Sequence, residues 1–336
     1  MSDPSVRTYV SRSEGMVRPA DVATISLFGT FLGKLPKGVQ KRIMASSMAD
    51  APYMGFVVEP YATFLCFELT DLARAERLVP PAYRIVPTRV FADGEPRPTV
   101  IVGAFNVHTS AFWGTRLELY VVAEHRETGL LSWIIVDYAT NTLSFDPGQG
   151  FVSGNATPCV VTSTHRGTVL VDAETADARV AVEADLRAGV EVPLDDRLWI
   201  EGNLSIDYGA DLADPDSVPF GIVFDPAEME RALRIPRPSV ELHALRWLDG
   251  LYDPEPFDVA VFPYAQHFVT TGVPKALGLR TREDLLAAVA DLNAAPPERG
   301  FESESIWRAM GIGMAVSATI TWGAVGYLLV QLLTGS

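Results

Sequence analysis

The chain has 336 residues, room for one large domain or two moderate ones. Its net charge of −15 argues against the basic footprint of a nucleic-acid binder, and its 48% hydrophobic content is high for a chain living wholly in water. The charge is uneven: residues 1–50 hold seven basic and four acidic side chains, net +3, which leaves −18 for the remainder.

Residues 1–20 are polar, carry Arg7, Arg12 and Arg18, and lack the apolar core of a secretory signal; they read as a loose tail. Asp21 is placed to cap a short helix over residues 22–33. Lys34, Lys37, Lys41 and Arg42 follow, with no acid between Asp21 and Asp50. This basic amphipathic segment fits an anionic membrane surface. Residues 53–69 read as two strands broken at Glu59-Pro60, and residues 71–78 as a short helix capped by Thr70 or Asp71 and stopped by Pro80-Pro81.

The central block, residues 99–161, holds four runs rich in Val, Ile, Tyr and Trp. They are separated by Gly114, by Glu127-Thr128-Gly129 and by Pro147-Gly148-Gln149-Gly150. Run length and strand propensity predict an antiparallel sheet. Runs apolar on both faces need cover on both, so a closed, barrel-like form is expected. Beyond Thr164 the pattern alternates, as in strands with one wet face. Asp225-Pro226 predicts a helix start. Thr281 with Asp284 predicts a capped amphipathic helix over residues 281–292. Cys66 and Cys159 sit inside apolar runs with no spacing that supports a disulfide or a metal site.

From Ala309 to the end the only ionisable side chain is Tyr327. Residues 306–333 therefore predict a transmembrane helix, preceded by the anchors Trp307 and Arg308. Gly311, Ala315, Gly313 and Ser317 set small residues at four-residue intervals, which favours a helix–helix partner or a homo-oligomer in the bilayer. The expected organisation is a tail and basic segment (1–50), a β domain (51–293), a linker (294–305) and a single-pass C-terminal anchor that leaves the main domain in the cytoplasm. The fold class is mainly β (α+β), with peripheral helices and one C-terminal transmembrane helix.

On the strand that begins near Arg116, alternation places Arg116, Glu118 and Tyr120 on one face and Leu117, Leu119 and Val121 on the other. Asp137 and Tyr138 end the next strand, and His108 ends the preceding one. If these strands are neighbours, Arg116, Glu118, His108 and Asp137 line a polar mouth in an apolar cavity, a usual setting for a small ligand. Glu118 and Asp137 are the candidate acid–base pair; Arg116, His108, Tyr120 and Tyr138 are candidate ligand contacts. Tyr264, Gln266 and His267 form a second polar cluster, of which His267 is the candidate contact. No zinc, nucleotide or serine-hydrolase motif occurs, and no metal or cofactor is expected.

The order of elements resembles the acetoacetate decarboxylase-like superfamily over residues 53–270. The residues that carry the likeness are the strand at 64–69, the helix at 71–78, and Leu78-Val79-Pro80-Pro81-Ala82-Tyr83, similar to the family's L-P-P-G element. After these come the strand at 99–107, Glu118-Leu119-Tyr120 and the aspartate-bearing strand at 132–138. The resemblance implies a closed, curved antiparallel sheet around an apolar site, where a lysine of burial-lowered pKa forms a Schiff base with a ketone. This chain departs from that pattern. Its lysines are Lys34, Lys37, Lys41 and Lys275, and residues 145–160 contain none. Of the family's polar positions only Glu118 carries over. The expectation is a membrane-tethered domain that binds a small apolar or carboxylate-bearing molecule. The alternatives are a lyase or isomerase acting on a keto acid or enol through carboxylate acid–base chemistry, and a structural subunit of a membrane complex.

Overall fold

A computed structural model describes residues 4–19, 22, 33–47, 53–109, 112–146, 148–213, 218–271 and 277–295. The strands are β1 (Tyr53–Val58), β2 (Ala62–Leu69), β3 (Tyr83–Ile85), β4 (Thr99–Thr109), β5 (Trp113–His125) and β6 (Leu131–Thr140). They continue as β7 (Ser144–Asp146), β8 (Gly150–Val152), β9 (Cys159–Ser163), β10 (Thr168–Glu174), β11 (Arg179–Asp185) and β12 (Val190–Pro193). The last are β13 (Ile206–Tyr208), β14 (Val223–Phe224), β15 (Arg231–Arg234), β16 (Val240–Arg246), β17 (Tyr252–Phe262) and β18 (Gln266–Thr271). The helices are α1 (Pro4–Met16), α2 (Lys37–Ser47), α3 (Leu72–Leu78) and α4 (Arg282–Ala294).

β4 is the spine of the large sheet. β1 and β2 lie in series along one of its edges, with Val58 opposite Val107 and Thr63 opposite Ala104. The break between them passes through Tyr61, in the left-handed region at φ 76°. β5 takes the other edge, β6 follows it, and β13 runs parallel to β6. From β2 the sheet continues through β17 and β15 to β12, and from β1 through β18 to β14. The result is a forked, open sheet rather than the closed barrel expected. Continuous apolar runs demand cover on both faces, and layering supplies that cover as well as closure does. Here a second sheet, in the order β16-β11-β10-β9, covers one face. In β10 and β11 the buried residues alternate strictly with more exposed ones. Leu65, Phe67, Leu117, Leu119, Val171 and Val182 pack between the sheets, each side chain worth about 1.5–3 kcal/mol when fully buried.

The opposite face carries the second core, built on Phe64, Tyr120, Trp133, Trp199, Phe224 and Phe262. Residues 197–204, the 3₁₀ turn Pro226–Met229, α4 and α1 contribute its buried cover. Asp225 caps that turn, but the chain leaves it at once for β15, so the helix expected after Asp225 is a single turn. Asp71 caps α3, and Thr281 with Asp284 forms a full capping box on α4.

The N-terminal stretch is not a loose tail. α1 docks on β1, β18 and α4, and the Tyr9 hydroxyl, fully buried, donates to the carbonyl of Val223 at 2.7 Å. Arg12 donates to the carbonyls of Asn293 and Ala295 at the end of α4. Tyr9, Ser13 and Met16 recur at helical spacing, a stripe too sparse in apolar residues to announce a docked face. Among the described residues no helix is long and apolar enough to cross a membrane. The apolar stretch at 23–32, most of the linker and the span expected at 306–333 lie outside the described residues.

Candidate active site

Alternation along β5 sends Arg116, Glu118 and Tyr120 to the face away from the second sheet. The register sets Phe105, Gly103 and Ile101 of β4 beside them. Gly103 is needed there: a Cβ would lie 2.9 Å from the Phe64 ring and 3.2 Å from the Tyr120 ring. Its absence makes room for both rings beside the β4 partner of Glu118. Phe64, Trp133, Trp199 and Phe262 form an edge-to-face cluster with centroids 5.1–5.8 Å apart, and Tyr120 joins it 4.9 Å from Trp133. The polar groups thus stand on an aromatic floor.

Arg116 and Glu118 are both buried, and the guanidinium Nε donates to Glu118 Oε1. The Tyr120 hydroxyl donates to Glu118 Oε2. The hairpin β7–β8 adds Ser144 and Asp146. Arg116 Nη1 donates to Ser144 Oγ at 2.7 Å, and the Tyr138 hydroxyl donates to Asp146 Oδ2 at 2.6 Å. The Arg116 Cζ lies 4.2 Å from the centre of the Tyr138 ring. Among the described residues, Arg116 Nη2 and the Tyr208 hydroxyl make no hydrogen bond, and Asp146 Oδ1 is buried with no partner. Gln40 of α2 holds the hairpin in place. Its Oε1 accepts from the Phe151 backbone at 2.8 Å while its Nε2 donates to the Leu35 carbonyl at 2.7 Å. Gly150, at φ 82°, lets that amide approach, since a Cβ would fall 2.3 Å from Gln40 Oε1.

Burial works against the Arg116 charge, but Glu118 and the tyrosines Tyr208 and Tyr138 outweigh it and hold the guanidinium firmly protonated. Burial pushes the Tyr120 hydroxyl well up, with Glu118 adding to the effect. The Tyr138 and Tyr208 hydroxyls are also raised by burial, Tyr138 with help from Asp146. Burial raises Asp146 above the usual carboxylate range against the opposing pull of the Tyr138 hydrogen bond and of Arg116. A buried ion pair is poor value as a stabilising device, because desolvation of both partners rivals their attraction.

Four of the expected site residues assemble: Arg116, Glu118, Tyr120 and Tyr138. Asp137 does not join them, which corrects the expected pairing with Glu118. A bulge at Val136 places Asp137 opposite Leu119, on the face of the second sheet. There its carboxylate accepts from the Trp247 indole at 2.7 Å and from the Tyr138 backbone at 2.8 Å. Burial raises its pKa, against those two hydrogen bonds. His108 also faces away, stacked on Trp113 at 4.8 Å and bonded through Nε2 to Glu59 Oε1 at 2.6 Å. His267 lies under α1, where Nδ1 meets Glu228 Oε1 at 2.8 Å and Nε2 lies 3.6 Å from Glu14. The expected mouth of Arg116, Glu118, His108 and Asp137 is therefore replaced by Arg116, Glu118, Tyr120, Tyr138, Ser144, Asp146 and Tyr208.

Sequence reading missed the last three. Ser144 and Asp146 stand two apart just before a turn, the strand spacing that sets them on one face, and Tyr208 ends a short alternating run. None of the chain's four lysines lies on a described strand. Among the described residues no group of His, Cys, Asp and Glu is gathered to hold a metal ion.

No family model matches the chain, and no curated protein does. Solved structures do. Acetoacetate decarboxylase from Legionella pneumophila is 14% identical, with a TM-score of 0.40 over 68% of this chain and 88% of its own. An acetoacetate decarboxylase-like enzyme from Sphingomonas wittichii is 12% identical, with a TM-score of 0.39 over 70% of this chain and 95% of its own. The enduracididine biosynthesis enzyme MppR, in complex with pyruvate, is 11% identical, with a TM-score of 0.39 over 68% of this chain and 91% of its own. At this level of likeness neither activity nor substrate passes from those proteins to this one. The solved structures to which the chain is similar include acetoacetate decarboxylases and an acetoacetate decarboxylase-like enzyme.

Proposed function

We propose that this domain is an enzyme of the carboxylate acid–base type, a lyase or isomerase acting on a small keto acid or enol without a Schiff-base lysine. The observation that carries the reading is the state of Arg116. Its Nε and Nη1 are engaged by Glu118 and Ser144, while its Nη2 edge makes no hydrogen bond among the described residues. A buried guanidinium with a free edge suits a substrate carboxylate. Glu118, fixed beside it, then accepts a proton from the carbon next to the substrate carbonyl. The C–H electrons move into a carbon–carbon double bond and the carbonyl oxygen becomes an enolate. The Phe64–Trp133–Trp199–Phe262 cluster supports an apolar substrate body and keeps water from the enolate.

Deuterium exchange at that carbon, followed by proton NMR in heavy water, tests the reading. The wild type is expected to catalyse exchange in a short 2-oxo acid, and Glu118→Gln to slow it about 10²- to 10⁴-fold while keeping the native circular-dichroism spectrum, with a lower melting temperature because Arg116 loses its charged partner. Equal exchange in both proteins overturns the assignment. Both Glu118 oxygens already accept hydrogen bonds, and this favours a second reading in which Glu118 only orients a bound ligand. Tight binding of the acid without exchange in the wild type selects that reading.

The membrane tether is a separate proposal, supported by the near absence of ionisable side chains after Arg308. The full chain is expected to sediment with membranes, and a chain ending at Ser305 to stay in the supernatant. Equal solubility of the two removes the tether.

A further inference from the structure

Asp146 has one oxygen that nothing in its surroundings explains. The residue is fully buried, Oδ2 accepts the Tyr138 hydroxyl, and Oδ1 has no partner. The groups that face it are Tyr138 from β6, Arg116 and Glu118 from β5 and Tyr208 from β13. Arg116 acts on it only through space, since its hydrogen bonds go to Glu118 and Ser144. An ionised carboxylate left in this position would forfeit its hydration with one oxygen unsatisfied, and taking up a proton is the less costly outcome. The Tyr138 O–H points at Oδ2, so the acid proton belongs on Oδ1. There it is a buried donor without an acceptor, a situation that native structures avoid unless something else supplies the acceptor.

We propose that Asp146 is a catalytic residue of this site, a neutral carboxyl whose Oδ1–H donates to a carbonyl or enol oxygen of the ligand. The inference rests on the reading of Arg116 as the carboxylate anchor, and it narrows the ligand class to acids that carry a second oxygen function near the carboxylate. It also divides the labour between the two acids. Glu118 takes the carbon-bound proton and becomes neutral. Asp146 shares or gives up its own proton to the developing enolate oxygen. The keto substrate becomes an enol, Glu118 has gained one proton and Asp146 has lost one. Reversal of both transfers restores the site. A carboxyl group kept neutral by its surroundings is a recurrent source of such a donor.

The probes are 2-oxobutanoate and butanoate, which differ only in the oxygen that Asp146 would hold. Calorimetry on the wild type is expected to give about a 10- to 100-fold preference for the oxo acid. Asp146→Ala should abolish the preference and leave butanoate affinity within a few-fold. Asp146→Asn, which keeps a neutral donor and an acceptor for Tyr138, should retain the preference in binding yet lose deuterium exchange. Infrared difference spectra between the wild type and Asp146→Asn should contain a protonated-carboxyl band at neutral pH. A missing band overturns the proposal, and so does a wild type that binds both acids equally. A wild type that binds neither acid while the band is present overturns the anchor reading instead, and with it this ligand assignment.

Discussion

On the face of β5 and β6 that meets the second sheet, Leu117, Leu119, Val121 and Ile134 pack into an apolar layer with one carboxylate, Asp137. Both oxygens of Asp137 are hydrogen-bonded, one to the Trp247 indole and one to the Tyr138 backbone. On the opposite face Arg116, Glu118 and Tyr120 rise from the same β5, and Asp146 approaches from a hairpin. There Arg116 Nη2 and Asp146 Oδ1 have no partner among the described residues. Asp146 is fully buried and Asp137 half-buried, yet burial raises the pKa of both. A raised pKa therefore does not separate a structural acid from a functional one. Saturation does: a residue whose hydrogen-bonding capacity is filled by its own fold has nothing left for a ligand.

The largest effect expected from breaking this contrast is at Arg116. Arg116→Leu leaves Glu118 buried with no cation beside it, and urea denaturation should report a loss of about 3–5 kcal/mol. On the sandwich face, Asp137→Ala strands the Trp247 indole N–H and should cost about 1–3 kcal/mol, with ligand affinity unchanged. A fall in ligand affinity for Asp137→Ala as large as that for Asp146→Ala would erase the distinction between the faces.

The two acids also predict a shared pH dependence. Each binds its proton more tightly in the folded chain than in the unfolded one, where an aspartate titrates near about 3.9. The folded state therefore holds more protons as pH climbs above that value, and stability falls with rising pH through the folded pKa values. Asp146→Asn should flatten part of the fall, at a stability cost of about 1 kcal/mol or less at low pH, because the amide still accepts from Tyr138. A pH profile that matches the wild type means that Asp146 is ionised across the range.

Gln40 offers a smaller lever on the same face. Gln40→Ala removes one of the ties between α2 and the hairpin, Lys37 to the Gly148 carbonyl remaining, and leaves the Phe151 N–H unpaired, for about 1–2 kcal/mol. It should also reduce affinity for the oxo acid while butanoate binding, which depends on β5, changes little. Equal losses for both acids would mean that the hairpin serves stability alone.

The sequence carried much of this arrangement because alternation is local. The parity of β5 alone assigns Arg116, Glu118 and Tyr120 to one face, and the caps at Asp71 and Thr281 are written within four residues of each helix start. What failed depended on one-residue insertions or on distant partners. Strict alternation from Trp133 and Ile135 would set Asp137 beside Glu118. The bulge at Val136 reverses that parity, and no residue type at that point announces it. Asp146 reaches Tyr138 from a hairpin that Gln40, more than a hundred residues earlier, helps to hold. Closure and layering both satisfy an apolar strand, so the choice between a barrel and a forked sheet rested on how β1 and β2 divide one edge of β4.

The mildest effect lies at His267, which belongs to neither face and ties α1 to the body. Burial disfavours its charge, but Glu228 and then Glu14 more than compensate, and its pKa is raised. The folded chain therefore binds the imidazole proton more tightly than the unfolded chain, whose histidine titrates near about 6.5. The contribution is complete below that pH and is lost as pH rises through the folded pKa. Glu14 is largely exposed, so its share is screened to about 0.2–1 kcal/mol. Glu14→Gln should lower stability by that amount in acid and by nothing in alkali. Hydrogen exchange of α1 amides should accelerate in the same pH window for the wild type and lose part of that dependence in the variant. Because Tyr9 and Arg12 hold α1 independently of protonation, the helix should stay docked throughout. Loss of α1 protection at alkaline pH would mean that the histidine, rather than the buried tyrosine, is what fastens it.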